Sequence, residues 1–150
     1  MAVAGCPLCD ALGGSVIFRG SKFRLIRAVE AGFPAFYRLV WTDHVAEFSD
    51  LSAADRLTCM EAVARVEQVL RSQLRPTKIN LAALGNQVAH LHWHIIARFD
   101  WDSHFPAPVW AAAERQAPTD ALVALAARCA GIEQLLVDRL ADMTDNSAPP

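Results

Sequence analysis

Three histidines at alternate positions, His90, His92 and His94, are the residues of this chain whose types and spacing best suit chemistry. In a β-strand, successive side chains point to opposite faces, so this spacing predicts three imidazoles in a row on one face of a sheet. Each neutral imidazole carries one donor and one acceptor, and burying three side by side without partners is costly. The pattern therefore favours a functional site over a purely structural strand.

Three kinds of site fit such a row: a metal cage, a nucleophilic catalyst or a binding surface. A zinc or iron cage usually adds a carboxylate or water to its histidines, and Asp100 and Asp102 lie too near the far end of the strand for that role. An imidazole nucleophile needs its second nitrogen to donate to a carbonyl or carboxylate. The middle histidine, His92, is the best flanked for this purpose.

A second candidate site is the CxxC at Cys6 and Cys9, where Pro7 favours a turn that lets two thiolates converge on one zinc ion. No second CxxC follows, so a zinc ion would need two more ligands from elsewhere in the chain. His44 and His90 are the candidates. The alternative is a packed loop with free thiols.

The composition limits the class of protein. With 150 residues, 53% of them hydrophobic, the chain is long enough for one domain with its own core. A net charge of −2 gives no basic surface for stable binding to nucleic acid, and no apolar run is long enough to predict a membrane span. The start of the chain lacks the pattern of a secretory signal, so we expect a cytoplasmic protein with a small soluble ligand.

The elements that must position these residues are predicted to be short strands around one long helix. Runs of aromatic and branched residues predict three antiparallel strands, followed after the helix by a fourth strand and the histidine strand. The predicted strands are Val16–Arg19, Lys22–Ala28, Ala35–Trp41, Lys78–Leu84 and His90–Arg98.

The helix is predicted to begin at the Ser52-x-x-Asp55 cap and to end before Pro76. Apolar residues at three- and four-residue spacing, from Leu57 to Leu74, predict one face against the sheet. Beyond Phe99, a polar and proline-rich stretch predicts a covering loop. A last helix is predicted with Thr119–Asp120 as its cap and Gly131 as a weak point.

The segment His90-Leu91-His92-Trp93-His94-Ile95-Ile96 resembles the H-φ-H-φ-H-φ-φ signature of the histidine triad (HIT) family of nucleotide hydrolases and transferases, in which φ is hydrophobic. The likeness extends upstream to His44 before the long helix, to Asn80 and to the Gly85–Val88 turn. It covers roughly Cys6 to Phe105.

The resemblance implies an α+β fold, with an antiparallel sheet of about five strands and a long helix packed on it. The last helix predicted from the residues is an extra C-terminal helix. Residues 1–144 would form a single domain, with 105–144 as a C-terminal extension and 145–150 as a flexible tail. A homodimer is also implied.

The resemblance further implies a nucleotide phosphoramidase or dinucleoside polyphosphate hydrolase that takes a purine nucleotide or nucleotide conjugate. His92 would attack the α-phosphorus and form a nucleotidyl-histidine, which water hydrolyses without a cofactor. His94 would contact the phosphoryl oxygens or the leaving group, and Asn80 and Gln87 would donate to the phosphate. His44 would help to orient the nucleophile, as would the first triad histidine.

Some members of the family bind a structural zinc ion, and Cys6, Cys9, His44 and His90 match those positions. A non-catalytic nucleotide-binding adaptor and a zinc-binding module remain the alternative functions.

This chain departs from the family pattern at several positions. Gln87 stands where many members carry Ser or Thr, and Trp93 stands where a small aliphatic residue is usual. His104 and the final helix exceed the minimal domain. We expect this extension to cap the substrate cleft or to form the dimer contact.

Overall fold

The computed structural model of the chain describes residues 1–143, and their centre is a five-stranded antiparallel sheet. The strands are β1 (Ser15–Arg19), β2 (Phe23–Arg27), β3 (Phe36–Trp41), β4 (Lys78–Ala82) and β5 (His92–Arg98). Their spatial order is β1-β2-β3-β5-β4. All five strands are predicted correctly, although β4 ends two residues early and β5 begins two residues late. The predicted tail at 145–150 lies outside the described residues.

Four α-helices accompany the sheet: α1 (Pro7–Asp10), α2 (Ala53–Leu74), α3 (Thr119–Gly131) and α4 (Glu133–Ala141). The predicted cap of α2 is confirmed, because the Ser52 hydroxyl accepts a hydrogen bond from the backbone N–H of Asp55 at 3.1 Å. The helix ends as Arg75 adopts a left-handed conformation with φ of 50° and Pro76 follows. Among the described residues, no helix is both long and apolar enough to span a membrane.

Helix α2 buries one apolar stripe against the sheet, and this stripe differs in part from the predicted one. Leu57 is 74% exposed and lies outside it, because the smaller Cys59 and Ala62 take the positions that face the sheet. Small side chains let the helix approach the strands closely. The buried residues of α2 are Cys59, Ala62, Val63, Val66, Val69, Leu70 and Leu74.

The sheet has two different faces because side chains alternate along each strand. Leu39 of β3 and Ile95 of β5 are completely buried in the core that α2 covers, and Trp93 packs against the same core. Paired residues of antiparallel strands share a face, so His92 and His94 lie on the opposite side of the sheet. Trp93 and Ile95 therefore face the core, as alternation along a strand that carries His92 and His94 on its other face predicts.

The C-terminal helical region differs from its prediction in two ways. Pro118, not Thr119 or Asp120, occupies the cap position of α3, and no side chain caps this helix. The region is also two helices, since α3 ends at Gly131 and α4 starts after Ile132. Glycine is a poor helix former, which explains an interruption at this point. Both helices contribute core residues: Leu125, Cys129, Leu136 and Leu140.

The segment between β5 and α3 is irregular, as predicted, and a buried ion pair organises it. Arg98 donates to Asp102 through Nε at 2.8 Å and through Nη2 at 3.0 Å, and both side chains are almost fully buried. The Asp102 carboxylate also accepts hydrogen bonds from the backbone N–H groups of Phe99, His104 and Phe105. Asp102 therefore shapes this loop from inside.

The irregular segment folds back over the histidine face of β5 and runs along it. The carbonyl of Ala107 accepts from Arg98 Nη2 at 2.8 Å, and Val109 packs against Ile96. Trp110 then reaches His94, with ring centroids 5.1 Å apart. The segment thus covers β5 from Arg98 to His94. This covering role is one of the two that the sequence predicts for the extension.

We expect Asp102→Ala to destabilise the protein by about 3 to 5 kcal/mol, because it leaves the Arg98 guanidinium buried without its partner. Chemical denaturation of the variant and the wild type would measure this difference in the free energy of unfolding. Asp100→Ala, which changes an exposed acidic neighbour, serves as the control. An equal, small effect of both changes would contradict an organising role for Asp102.

Candidate functional site

His92 is held in one tautomer by its own chain. Its Nδ1 lies 2.6 Å from the backbone carbonyl oxygen of His90. A carbonyl only accepts hydrogen bonds, so Nδ1 carries the proton and Nε2 carries the free electron pair. Burial lowers the pKa of His92 below its ordinary value, against the opposing effect of this hydrogen bond. The result is a neutral imidazole with an unprotonated Nε2, the form that a nucleophile requires.

His94 follows on the same face and is more deeply buried. Its ring packs edge-on against His92, with centroids 4.9 Å apart, and against Phe36 at 5.5 Å. Burial first, and then His92 and Arg38, lower the pKa of His94 to about 4. Its Nδ1 is buried and has no partner within the described part of the chain. A substrate oxygen or hydroxyl is one group that could satisfy this nitrogen.

His90 does not continue the row, so the prediction of three imidazoles on one strand face is wrong at this residue. Strand β5 begins at His92, the chain bends at His90, and the backbone N–H of Leu91 donates to the carbonyl of Val45. The His90 ring is buried elsewhere. Its Nε2 lies 2.7 Å from the carbonyl oxygen of Trp41, so Nε2 carries the proton and Nδ1 is left with its electron pair.

The free Nδ1 of His90 faces the two cysteines near the N-terminus. It lies 3.5 Å from Cys6 Sγ and 3.4 Å from Cys9 Sγ, while His44 Nδ1 lies 3.5 Å from Cys9 Sγ. The four ligand atoms all lie within 4.8 Å of one another. Zinc–sulfur bonds of about 2.3 Å and zinc–nitrogen bonds of about 2.0 Å in a tetrahedron give similar separations. The cluster therefore fits one zinc ion.

An arginine of the sheet holds this cysteine pair in place. Arg24 on β2 donates to the carbonyl of Leu8 at 2.8 Å and to those of Ala11 and Leu12 at 3.3 Å each. These carbonyls lie at and just beyond the C-terminal end of α1, where the last carbonyls of a helix have no N–H donor within the helix. Arg24 thus fastens the CxxC turn to the sheet, a contact that the sequence alone did not predict.

Asn80 and Gln87, the two predicted phosphate ligands, are held differently. Asn80 lies on the histidine face of β4, and its Oδ1 accepts from Arg98 Nη1 at 2.8 Å. An arginine can only donate, so the amide NH₂ of Asn80 is left free to donate elsewhere. Gln87 is exposed in the loop between β4 and β5. Its role at the phosphate stays a prediction.

The site also contains two residues, Arg38 and Trp110, that the sequence analysis did not predict. Arg38 on β3 pairs across the sheet with His94, and its Nη2 binds Glu30 at 2.8 Å. Trp110 packs on the His94 ring from the covering segment. Because side chains alternate along β3, the sequence could have predicted that Arg38 shares a face with Phe36 and Val40. Only the strand register shows that this face also carries His94.

His104 belongs to the covering segment and does not join the triad. Its ring packs on Phe33 at 5.2 Å, and its Nδ1 lies 2.8 Å from the Ser103 hydroxyl. These contacts hold it within the covering segment and not against the triad.

The burial of His94 leads to a titration prediction. We expect its imidazole to gain a proton near pH 4, and not near the ordinary value of 6.5, in NMR spectra of protein with labelled histidine. The unfolded chain binds this proton at the higher pH, so His94 should also make the fold less stable as the pH falls from 6.5 towards 4. A midpoint between pH 6 and 7 for His94 would contradict the burial described above.

Comparison with known proteins identifies the family. The family model of the HIT domain matches residues 12–101, and no curated protein matches the chain. Among solved structures, a histidine triad protein from Bradyrhizobium japonicum is 28% identical, with a TM-score of 0.63 over 78% of this chain and 90% of that one. One from Sinorhizobium meliloti is 28% identical, with a TM-score of 0.63 over 80% and 90%.

A histidine triad protein from Marinobacter aquaeolei shares the fold at 20% identity, with a TM-score of 0.65 over 91% of this chain and 93% of that one. The family match spans more than half of the chain and includes the whole triad, and the predicted α+β fold is confirmed. The chain belongs to the HIT family.

Proposed function

We propose that this protein is a nucleotide hydrolase or transferase in which His92 attacks the α-phosphorus of a nucleotide conjugate. The proposed substrates are nucleoside phosphoramidates and dinucleoside polyphosphates. The observation that carries the proposal is the 2.6 Å hydrogen bond from His92 Nδ1 to the His90 carbonyl, which leaves Nε2 unprotonated. A protein that only binds nucleotides has no need of a histidine oriented in this way.

The reaction divides into two displacements at phosphorus. Nε2 of His92 forms a bond to the α-phosphorus while the bond to the leaving group breaks. Water then attacks the same phosphorus and releases the imidazole. Phosphoryl transfer depends mainly on positioning and on donors directed at the phosphoryl oxygens, and the free amide of Asn80 and the unpartnered Nδ1 of His94 lie on the right face to contribute. Neither step requires a cofactor.

We also propose that Cys6, Cys9, His44 and His90 hold one zinc ion with a structural role. The support is the convergence of the four ligand atoms and the hydrogen bond from His90 Nε2 to the Trp41 carbonyl. Zinc-bound histidines commonly donate their other nitrogen to a carbonyl or carboxylate in this way. With four protein ligands there is no open position for a water molecule, which is the pattern of structural and not catalytic zinc.

The covalent intermediate gives the test of the hydrolase. Wild-type protein mixed with an adenylyl phosphoramidate and quenched should show an adenylylated mass or release of AMP. His92→Asn should show no adduct and should lose roughly 10⁴-fold or more in rate, because the nucleophile is absent. His104→Asn is the control for removing a histidine outside the site. Wild-type protein with neither adduct nor AMP release across several leaving groups would refute the proposal.

The zinc site is tested by elemental analysis of purified protein. We expect about one zinc ion per chain in the wild type, and its loss together with a lower thermal midpoint in Cys9→Ser. Cys59→Ala, which changes a buried core cysteine, should keep the metal. Metal that survives Cys9→Ser but disappears in His92→Asn would indicate a cage made by the triad, which would also remove His92 as a nucleophile.

A further inference from the structure

Trp110 is placed where folding alone does not require a tryptophan. Its side chain is 52% exposed, although it packs against His94 at 5.1 Å with the rings at 71°. The neighbouring Val109 already anchors the covering segment, since it packs against the cluster formed by Ala28, Phe36 and Ile96. The covering segment reaches His94 at Trp110. Trp110 therefore presents a large open ring at the His94 edge of the proposed catalytic site.

Arg38 brings a positive charge to the same place. It pairs with His94 across β3 and β5, so its side chain lies on the same face of the sheet as His92 and His94. Its Nε is buried and has no hydrogen-bond partner among the residues that the structure describes, while Nη2 binds the partly exposed Glu30. A guanidinium with a free buried donor beside neutral imidazoles is suited to bind an anion.

We propose that Trp110 and Arg38 form a leaving-group subsite that selects leaving groups carrying both negative charge and a planar ring. This inference rests on the proposed function, because it takes His92 as the nucleophile and His94 as the neighbour of the departing group. Aromatic side chains stack on planar rings of many kinds, so Trp110 supplies affinity without reading hydrogen bonds. A second nucleotide is one leaving group with both properties.

The balance of the reaction agrees with an anionic leaving group. The bond from His92 Nε2 to phosphorus forms as the bond from phosphorus to the bridging oxygen breaks, and the electron pair stays on that oxygen. A phosphate oxygen departs as an anion, which Arg38 can stabilise without a proton. Water then takes the place of Nε2 on phosphorus, and a nucleoside monophosphate and one proton are released. By contrast, an amine departs after protonation as a neutral molecule, so Arg38 gives its departure no comparable stabilisation.

Four substrates separate the two properties of the leaving group. Adenosine 5′-phosphoramidate has neither charge nor ring in its leaving group, and the tryptamine phosphoramidate of AMP has only the ring. ATP has only the charge, and diadenosine triphosphate has both. For each variant, kcat/KM on all four substrates is expressed as a ratio to the value on adenosine 5′-phosphoramidate.

We expect Trp110→Ala to lower the ratio for diadenosine triphosphate and for the tryptamine substrate by roughly 5- to 100-fold, the range for loss of one stacked ring. Trp110→Phe should restore most of the wild-type ratio for these two substrates. Arg38→Gln should lower the ratio for ATP and diadenosine triphosphate, and Arg38→Lys should recover part of it. In Trp101→Ala, which changes a tryptophan stacked on Phe99, the ratios should stay as in the wild type.

The proposal is overturned if Trp110→Ala lowers kcat/KM equally on all four substrates, because Trp110 would then only position His94. A change in the mass of the protein in solution on Trp110→Ala would also overturn it, since the exposed ring would belong to a subunit contact.

Equilibrium binding separates the subsite from catalysis. In the His92→Asn background, diadenosine triphosphate should bind more tightly than AMP, and Trp110→Ala should remove this difference. If the wild type cleaves none of the substrates but diadenosine triphosphate still binds more tightly than AMP, the proposed hydrolase activity is refuted and the subsite is supported. If the two ligands bind alike, the subsite fails whatever the rates.

Discussion

The pairing of β3 with β5 is the constraint on which the rest of this molecule depends. It places Val40 opposite His92 and Arg38 opposite His94, and it turns Trp93 and Ile95 towards α2. A slip of one residue in this register would exchange the two faces, burying the histidines under the helix and exposing the core. The complete burial of Leu39 and Ile95 therefore determines which way His92 and His94 point.

The position at which β5 begins determines the surroundings of His90. Because β5 starts at His92, His90 is free to turn its ring into the cluster with Cys6 and Cys9, while its carbonyl still accepts from His92. The sequence predicts His90 both as a support for the nucleophile and as a zinc ligand, and different atoms of His90 make the two sets of contacts. The backbone carbonyl accepts from His92, and Nδ1 faces the two cysteines. Under the proposed function, ordering of the cluster would also order the carbonyl that orients His92.

A buried ion pair organises the start of the covering segment, while core residues of α3 and α4 hold the rest of the extension. Arg98 at the end of β5 binds Asp102, Asn80 and the carbonyl of Ala107, so one guanidinium joins β4, β5 and the covering segment. Buried charges of this kind are tolerated only when paired and fully hydrogen-bonded. The same arginine fixes the amide of Asn80, and so the covering segment and the proposed phosphate contact are held by one group. The homodimer and the cytoplasmic location stay predictions.

The sequence alone determined the strands, the long helix with its Ser52 cap and the identity of the triad, because alternation and capping are local patterns that survive in almost any tertiary context. It also indicated His44 and His90 as the candidate partners of the CxxC, and the resemblance implied the same set. Tertiary structure alone decided that His90 leaves the strand and that Arg38 and Trp110 lie beside His94. These features depend on strand register and on contacts between residues far apart in the chain, which no local pattern encodes.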